Sequence, residues 1–116
     1  MPAPGTVFQL IGESHHIWVV ASRELNGKVL CVNFTDAAKC LDSPCQVSAG
    51  EHRSIVKPSA VFYRKAREFT AANIDAQLLQ GAVVKHEDCT AALLKKIVNG
   101  AFQADDLTAR FLDYFS

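Results

Sequence analysis

His15-His16-Ile17-Trp18-Val19-Val20-Ala21-Ser22, then Arg23-Glu24-Leu25-Asn26-Gly27, then Lys28-Val29-Leu30-Cys31-Val32-Asn33-Phe34-Thr35: this run decides how the chain folds. Both flanks are rich in β-branched and aromatic side chains, which suit a pleated, half-buried surface. Between them Asn26-Gly27 supplies two residues that tolerate positive φ, the strongest short hairpin signal. The run predicts an antiparallel pair at the centre of a sheet, and Arg23-Glu24-Leu25 make its connection longer than a two-residue turn. Residues paired across a turn centred near position 25 sum to about 50, which sets His15 opposite Thr35. Nearly continuous hydrophobicity from Ile17 to Ala21 predicts burial on both faces, as in a barrel or a sandwich. Trp18 reads as core rather than as a ligand platform.

Outward from the hairpin, Thr6 to Ile11 is a short β-prone run closed by Gly12. Downstream, Asp36 to Gly50 turns small and polar, with Asp42-Ser43-Pro44 marking a turn and Gln46-Val47-Ser48 a short edge strand. Gly50-Glu51-His52-Arg53 then opens a dense polar stretch. It contains a brief strand at Ser54-Ile55-Val56, a break at Pro58, which lacks a backbone donor, and a further strand from Ser59 to Tyr63. The last third changes period. Asn73 caps a helix through Gln80 that Gly81 ends. Asp88 or Thr90 caps a second helix whose apolar positions are Ala91, Leu93, Leu94, Ile97 and Val98, and which Asn99-Gly100 stops. A final segment from Asp105 or Asp106 carries the apolar stripe Leu107, Phe111, Leu112 and Phe115. Five or six strands followed by helices make an α+β fold, a small barrel or strongly bent sheet with helices at its end, in one domain over residues 1–116.

The composition is that of a folded protein, with 49% apolar and 21% charged residues among 116. Twelve basic residues balance twelve acidic ones, so no net cationic field advertises nucleic-acid binding. A nucleic-acid contact needs a local patch, and Arg53, Lys57, Arg64, Lys65 and Arg67 form the one dense candidate; the same run also reads as a solvated face. No stretch approaches the roughly 20 apolar residues of a membrane helix. Met1-Pro2-Ala3-Pro4-Gly5 lacks the regions of a secretory signal, so a cytoplasmic protein without membrane partners is expected. Of the cysteines Cys31, Cys40, Cys45 and Cys89, only Cys40 and Cys45 lie close together, and no second pair completes a zinc site. Reduced thiols are expected, with a Cys40–Cys45 disulfide or an incidental metal site as alternatives. No cofactor is implied.

No phosphate loop, dinucleotide turn, metalloprotease helix or zinc quartet is present. His15 and His16 alternate on a strand, so their rings point to opposite faces, and each also reads as a solvated histidine at a strand end. With His15 opposite Thr35, an imidazole, a hydroxyl and the Asn33 amide share one edge. Such groups can hold a phosphate and pass a proton, because imidazole titrates close to neutrality. Glu51, His52 and Arg53 offer a second acid or base and a cation from the neighbouring loop. A metal-free nuclease needs little more than a base, an acid and a cation on the phosphate.

The order His-His-Ile-Trp-Val-Val-Ala-Ser, Lys-Val-Leu-Cys-Val-Asn-Phe-Thr, then Gly-Glu-His-Arg-Ser-Ile-Val-Lys-Pro-Ser-Ala-Val-Phe-Tyr resembles the PemK/MazF-like plasmid-maintenance toxins, and more closely a side branch of that superfamily. The resemblance spans residues 13–101, including Leu93 to Ala101 near the end. It implies an SH3-like small antiparallel β-barrel with appended C-terminal helices, commonly a homodimer. It also implies a metal-independent endoribonuclease of a toxin–antitoxin system, cutting single-stranded RNA by attack of the 2′-hydroxyl and neutralised by an antitoxin protein. The family's catalytic threonine or serine ends the strand that Thr35 ends here. Its catalytic arginine stands where this chain has His15, and an imidazole is neither permanently charged nor forked as a guanidinium is. The expected site is therefore His15, Thr35 and His52 for proton transfer, with Asn33, Glu51, Arg53 and Lys57 on the substrate. A non-catalytic SH3-like barrel that binds a protein or nucleic acid is the alternative, and a small-molecule or metal-binding barrel is a third.

Overall fold

The Asn26-Gly27 dipeptide folds as its chemistry dictates. In the computed structural model, which describes residues 2–11, 16–105, 107 and 109–115, Asn26 and Gly27 both take positive φ, 52° and 81°. Leu25 and Lys28 exchange backbone hydrogen bonds of 2.7 and 3.1 Å, the type I′ geometry whose twist matches the flanking strands. Immediately behind the turn the ladder shifts. The Ala21 N–H still donates to the Leu30 carbonyl, so Ser22, Arg23 and Glu24 stand opposite Val29 alone. The Ser22 hydroxyl fills this bulge, accepting from the Leu30 N–H and donating to the Arg23 carbonyl, both at 2.9 Å.

Beyond the bulge, β2 (Ile17–Val20) and β3 (Lys28–Asp36) pair with Trp18 opposite Asn33 and Val19 opposite Val32. The pairing is one residue off the expected register, and His15 lies outside the described residues. β3 is the hub of the sheet. β2 occupies one of its edges, while β6 (Arg67–Thr70) and β5 (Ser59–Val61) share the other, against its first and second halves. A 3-10 turn at Tyr63–Lys65 separates β5 from β6. With β1 (Val7–Leu10), β4 (Gln46–Val47) and β7 (Val83–His86), the order is β4-β5-β3-β2-β1-β7, with every pair antiparallel. The fold is thus α+β on an antiparallel sheet, and among the described residues the sheet stays open, with β4, β6 and β7 each paired along one side only.

Alternation along β3 sends Leu30, Val32 and Phe34 to one face and Val29, Cys31 and Asn33 to the other. The first face carries the larger core, with Val7, Val19, Val61 and Tyr63 packed against Leu93, Ile97 and Ala101 of helix α2 (Ala91–Gln103). Leu107 and the 3-10 segment Ala109–Phe115 add to it, the expected apolar stripe among them. The second face carries Phe8, Trp18, Val20 and Cys31 against Ala71 and Ile74 of helix α1 (Ala71–Gln80). A helix on each face is why Ile17 to Ala21 reads as continuously apolar. No helix among the described residues is long and apolar enough to cross a membrane.

Three local expectations change. Ser54-Ile55-Val56 is a loop closed on itself, with the Ile55 N–H on the His52 carbonyl and the Gly50 N–H on the Ile55 carbonyl. Helix α1 starts after Thr70 rather than at Asn73. Helix α2 passes through Asn99-Gly100 instead of stopping there, because Gly100 meets a neighbouring ring: a Cβ on it would lie 2.3 Å from the Tyr63 hydroxyl oxygen. That hydroxyl donates to the Ile97 carbonyl at 2.6 Å, so the bare backbone lets the phenol reach the helix.

Candidate functional site

The loop expected to offer a second acid or base and a cation is committed elsewhere. His52 is buried, its Nδ1 accepts from the Ser54 N–H at 3.0 Å, and its Nε2, which must then carry the proton, donates to the Glu87 carbonyl at 2.5 Å. Both ring nitrogens are spent on backbone, so the imidazole staples this loop to the connection between β7 and α2. The Glu51 carboxylate takes Lys96 Nζ of α2 at 2.9 and 3.2 Å and the Ser48 N–H at 2.6 Å. The Lys96 ammonium first, and the Ser48 N–H second, hold its carboxyl below the usual range. Lys57 pairs with Asp36 at 2.9 Å, and its hydrogen bond is the main reason that carboxyl is also lowered. Arg53 is exposed. Ile55 belongs to the α2-side core, so Glu51 and His52 sit on that side of the sheet, whereas Asn33 and Thr35 alternate to the other. The structure does not bring these two groups together.

It brings Asn33 to a different histidine. Trp18 stands directly across from Asn33, and His16, two residues before Trp18, shares that face, its Nδ1 3.5 Å from Asn33 Nδ2. Thr35, half-buried and paired with Ala60, follows two residues along on the same face. Asn33 is 3% exposed and Trp18 5%. Among the described residues, Trp18 Nε1 and Asn33 Oδ1 are buried without a hydrogen-bond partner. Leaving one such atom unpaired costs about 1–3 kcal/mol, so two on directly paired residues mark this spot as one where a further partner would be accommodated.

Phe69 of β6 stands edge-on to Trp18, with centroids 5.4 Å apart at 74°, and edge-on to Phe8 at 5.6 Å. The exposed Arg67 lays its guanidinium 4.8 Å from the Phe69 centroid and 6.0 Å from that of Trp18. Such contacts contribute about 0.5–1 kcal/mol each at exposed sites. Beside them, where β6 runs into α1, is a cleft of about 430 Å3 lined in part by Arg67, Glu68, Phe69, Thr70, Asn73 and Gln77. That is the volume of a small-ligand site.

The thiols do not supply a nucleophile here. Burial pushes the Cys31 thiol far up, with Arg67 opposing only in part, and it pushes Cys89 up to about 11. Cys31, Cys45 and Cys89 are free thiols, so the alternative of a Cys40–Cys45 disulfide is not formed. No group of three or more His, Cys, Asp or Glu residues able to hold a metal occurs among the described residues. What this face offers is a guanidinium, two aromatic rings, an amide, an imidazole and a hydroxyl. Sequence reasoning places Arg67 in a basic run and gives Phe69 and His16 no role at the site. The signal for the first two is the Arg-x-Phe spacing, which on a strand sets both side chains on one face. Comparison with protein-family models, curated proteins and solved structures finds no match.

Proposed function

We propose that this chain binds single-stranded RNA on the face formed by β2, β3 and β6, as a divergent relative of the PemK/MazF-like toxins built on a bent, SH3-like sheet. The observation that carries the reading is the unpartnered Trp18 Nε1 and Asn33 Oδ1, on cross-strand partners whose indole ring meets the Phe69 ring and the Arg67 guanidinium. Single strands are held by cations on the backbone and by aromatic faces under the bases, a stack contributing about 1–3 kcal/mol. Arg64 and Lys65, exposed on the turn before β6, extend the cationic side toward the phosphates. A neutral chain can bind RNA through such a patch, and its affinity then falls as salt rises.

Trp18 is the only tryptophan, so its emission reports on this face directly. Titration with a short single-stranded RNA at low salt is expected to give a saturable change in that emission. Arg67→Ala should weaken binding about tenfold, or ~1.4 kcal/mol. No saturable change in emission, and none in the anisotropy of a labelled strand, would overturn the reading.

Cleavage is the second reading, and the approach of His16 Nδ1 to Asn33 beside Thr35 favours it. In that reading a histidine of the 15–16 pair takes the 2′-hydroxyl proton, Thr35 contacts the phosphate or relays a proton, and His52 acts only as a staple. Incubation of RNA with wild-type protein should then yield fragments that Thr35→Ala and His16→Ala do not produce. A folded His52→Gln variant should keep the rate. RNA that is bound but left intact rejects cleavage and leaves the binding reading standing.

A further inference from the structure

We infer that the Trp18 indole N–H and the Asn33 side-chain oxygen form a recessed subsite for the edge of one nucleobase, covered by Arg67 in the free protein. The inference rests on the RNA-binding reading above and assigns the base-recognition residues within it. Indole offers one donor and no acceptor, and the amide oxygen offers an acceptor. The two residues are direct cross-strand partners, so both groups leave the sheet side by side on one face. His16 Nδ1 meets the other end of the Asn33 amide, which leaves Oδ1 as the end without a partner.

A ligand that satisfies both atoms must present an acceptor and a donor on neighbouring positions of a flat edge. The Watson–Crick edge of every nucleobase does so, through a keto oxygen and ring N–H or through a ring nitrogen and an exocyclic amine. A phosphate cannot, since it only accepts and would leave Asn33 Oδ1 unpaired. With Trp18 and Asn33 both more than nine-tenths buried, a base enters where Arg67, an exposed side chain lying over the Trp18 and Phe69 rings, swings aside. That movement uncovers the half-buried Phe69 ring for stacking and carries the guanidinium toward solvent, where a phosphate of the same strand would meet it.

The test compares oligouridylate with a strand of N3-methyluridine of the same length, which keeps the charge and the stacking face but lacks the N–H for Asn33 Oδ1. Binding, read by anisotropy of labelled strands, should be about tenfold tighter for oligouridylate, as one unmade hydrogen bond in a buried site implies. Asn33→Leu removes the acceptor in a side chain of similar volume, so it should weaken oligouridylate binding and leave the methylated strand, which already lacks that bond, little changed. Trp18→Phe, which removes the indole N–H, should instead weaken both strands alike. Independently of any ligand, Arg67→Ala should steepen the quenching of Trp18 emission by acrylamide. Equal binding of the two strands by the wild type, or full preference retained in Asn33→Leu, overturns the subsite while RNA binding stands. Unaltered acrylamide quenching overturns the cover. Binding of neither strand overturns the RNA reading and the subsite with it.

Discussion

Gly100 shows how one residue can contradict its own local signal. Glycine inside a helix costs about 1 kcal/mol relative to alanine, and Asn99-Gly100 looks like a helix end. It persists within α2 because a Cβ there would come within 2.3 Å of the Tyr63 hydroxyl oxygen and 3.1 Å of Cys45 Cβ. Gly100→Ala is therefore expected to destabilise the protein by about 1–3 kcal/mol, the range for overpacking, despite its better helix propensity. Tyr63→Phe, which loses the bond to the Ile97 carbonyl, should cost about 1 kcal/mol. The double variant should be less destabilised than the sum, because removing the hydroxyl removes the closest clash. Urea unfolding of the three variants checks this, and strict additivity would refute it. His52 carries the same lesson. Its Gly-Glu-His-Arg setting resembles a catalytic turn, yet both its nitrogens serve backbone groups.

At the scale of elements, the start of α2 and the end of α1 were legible, whereas the start of α1, the end of α2 and the strands made by distant partners were not. Thr90, one of the two caps the sequence offers, accepts the Leu93 N–H at 3.1 Å and opens α2. Gly81, in the left-handed region at φ 72°, ends α1 as expected. Thr70 precedes α1 without any side-chain capping bond. Thr90→Ala should thus cost about 1 kcal/mol, whereas Thr70→Ala should stay within about 0.5 kcal/mol of wild type. Thermal unfolding of the two variants side by side tests whether the cap bond rather than the residue type matters. β6 and β7 escape sequence reading because Arg-Glu-Phe-Thr and Val-Val-Lys-His are short and half polar. Their strand state comes from pairing with β3 and with β1, the latter more than seventy positions away in the chain.

For the whole molecule, the buried ionisable groups set an alkaline limit. Burial is the first cause that raises Cys31, Cys45, Cys89 and Tyr63 above their ordinary values. The folded state therefore keeps these protons, while the unfolded chain releases the thiol protons once pH passes about 9.0. Their stabilisation is complete below that value and is lost as pH rises, with the Cys89 share levelling off near 11. Asp36 and Glu51 behave oppositely. Lowered by Lys57 and Lys96, they contribute above the ordinary carboxyl range and lose that contribution as pH falls. Both pairs are partly exposed and so contribute little. The melting temperature should accordingly fall more steeply from pH 9 to 11 than from pH 6 to 4, and Cys31→Ala with Cys89→Ala should flatten the alkaline limb. An alkaline limb unchanged by those substitutions would count against the buried thiols as its cause.

The sequence by itself determined the central hairpin, its Asn26-Gly27 turn, the two-faced burial of Ile17 to Ala21, and the end of α1 at Gly81, and it narrowed the start of α2 to Asp88 or Thr90. Each follows from residues within a few positions of one another, where conformational preference is chemical and local. Only the tertiary structure decided which histidine meets Asn33, because a bulge at Ser22–Glu24 sets the register by one residue. It alone tied His52 to Glu87, thirty-five positions on, and laid Arg67 across Trp18. A side chain's remaining capacity for chemistry depends on which partners have already claimed its donors and acceptors, and those partners arrive from distant parts of the chain.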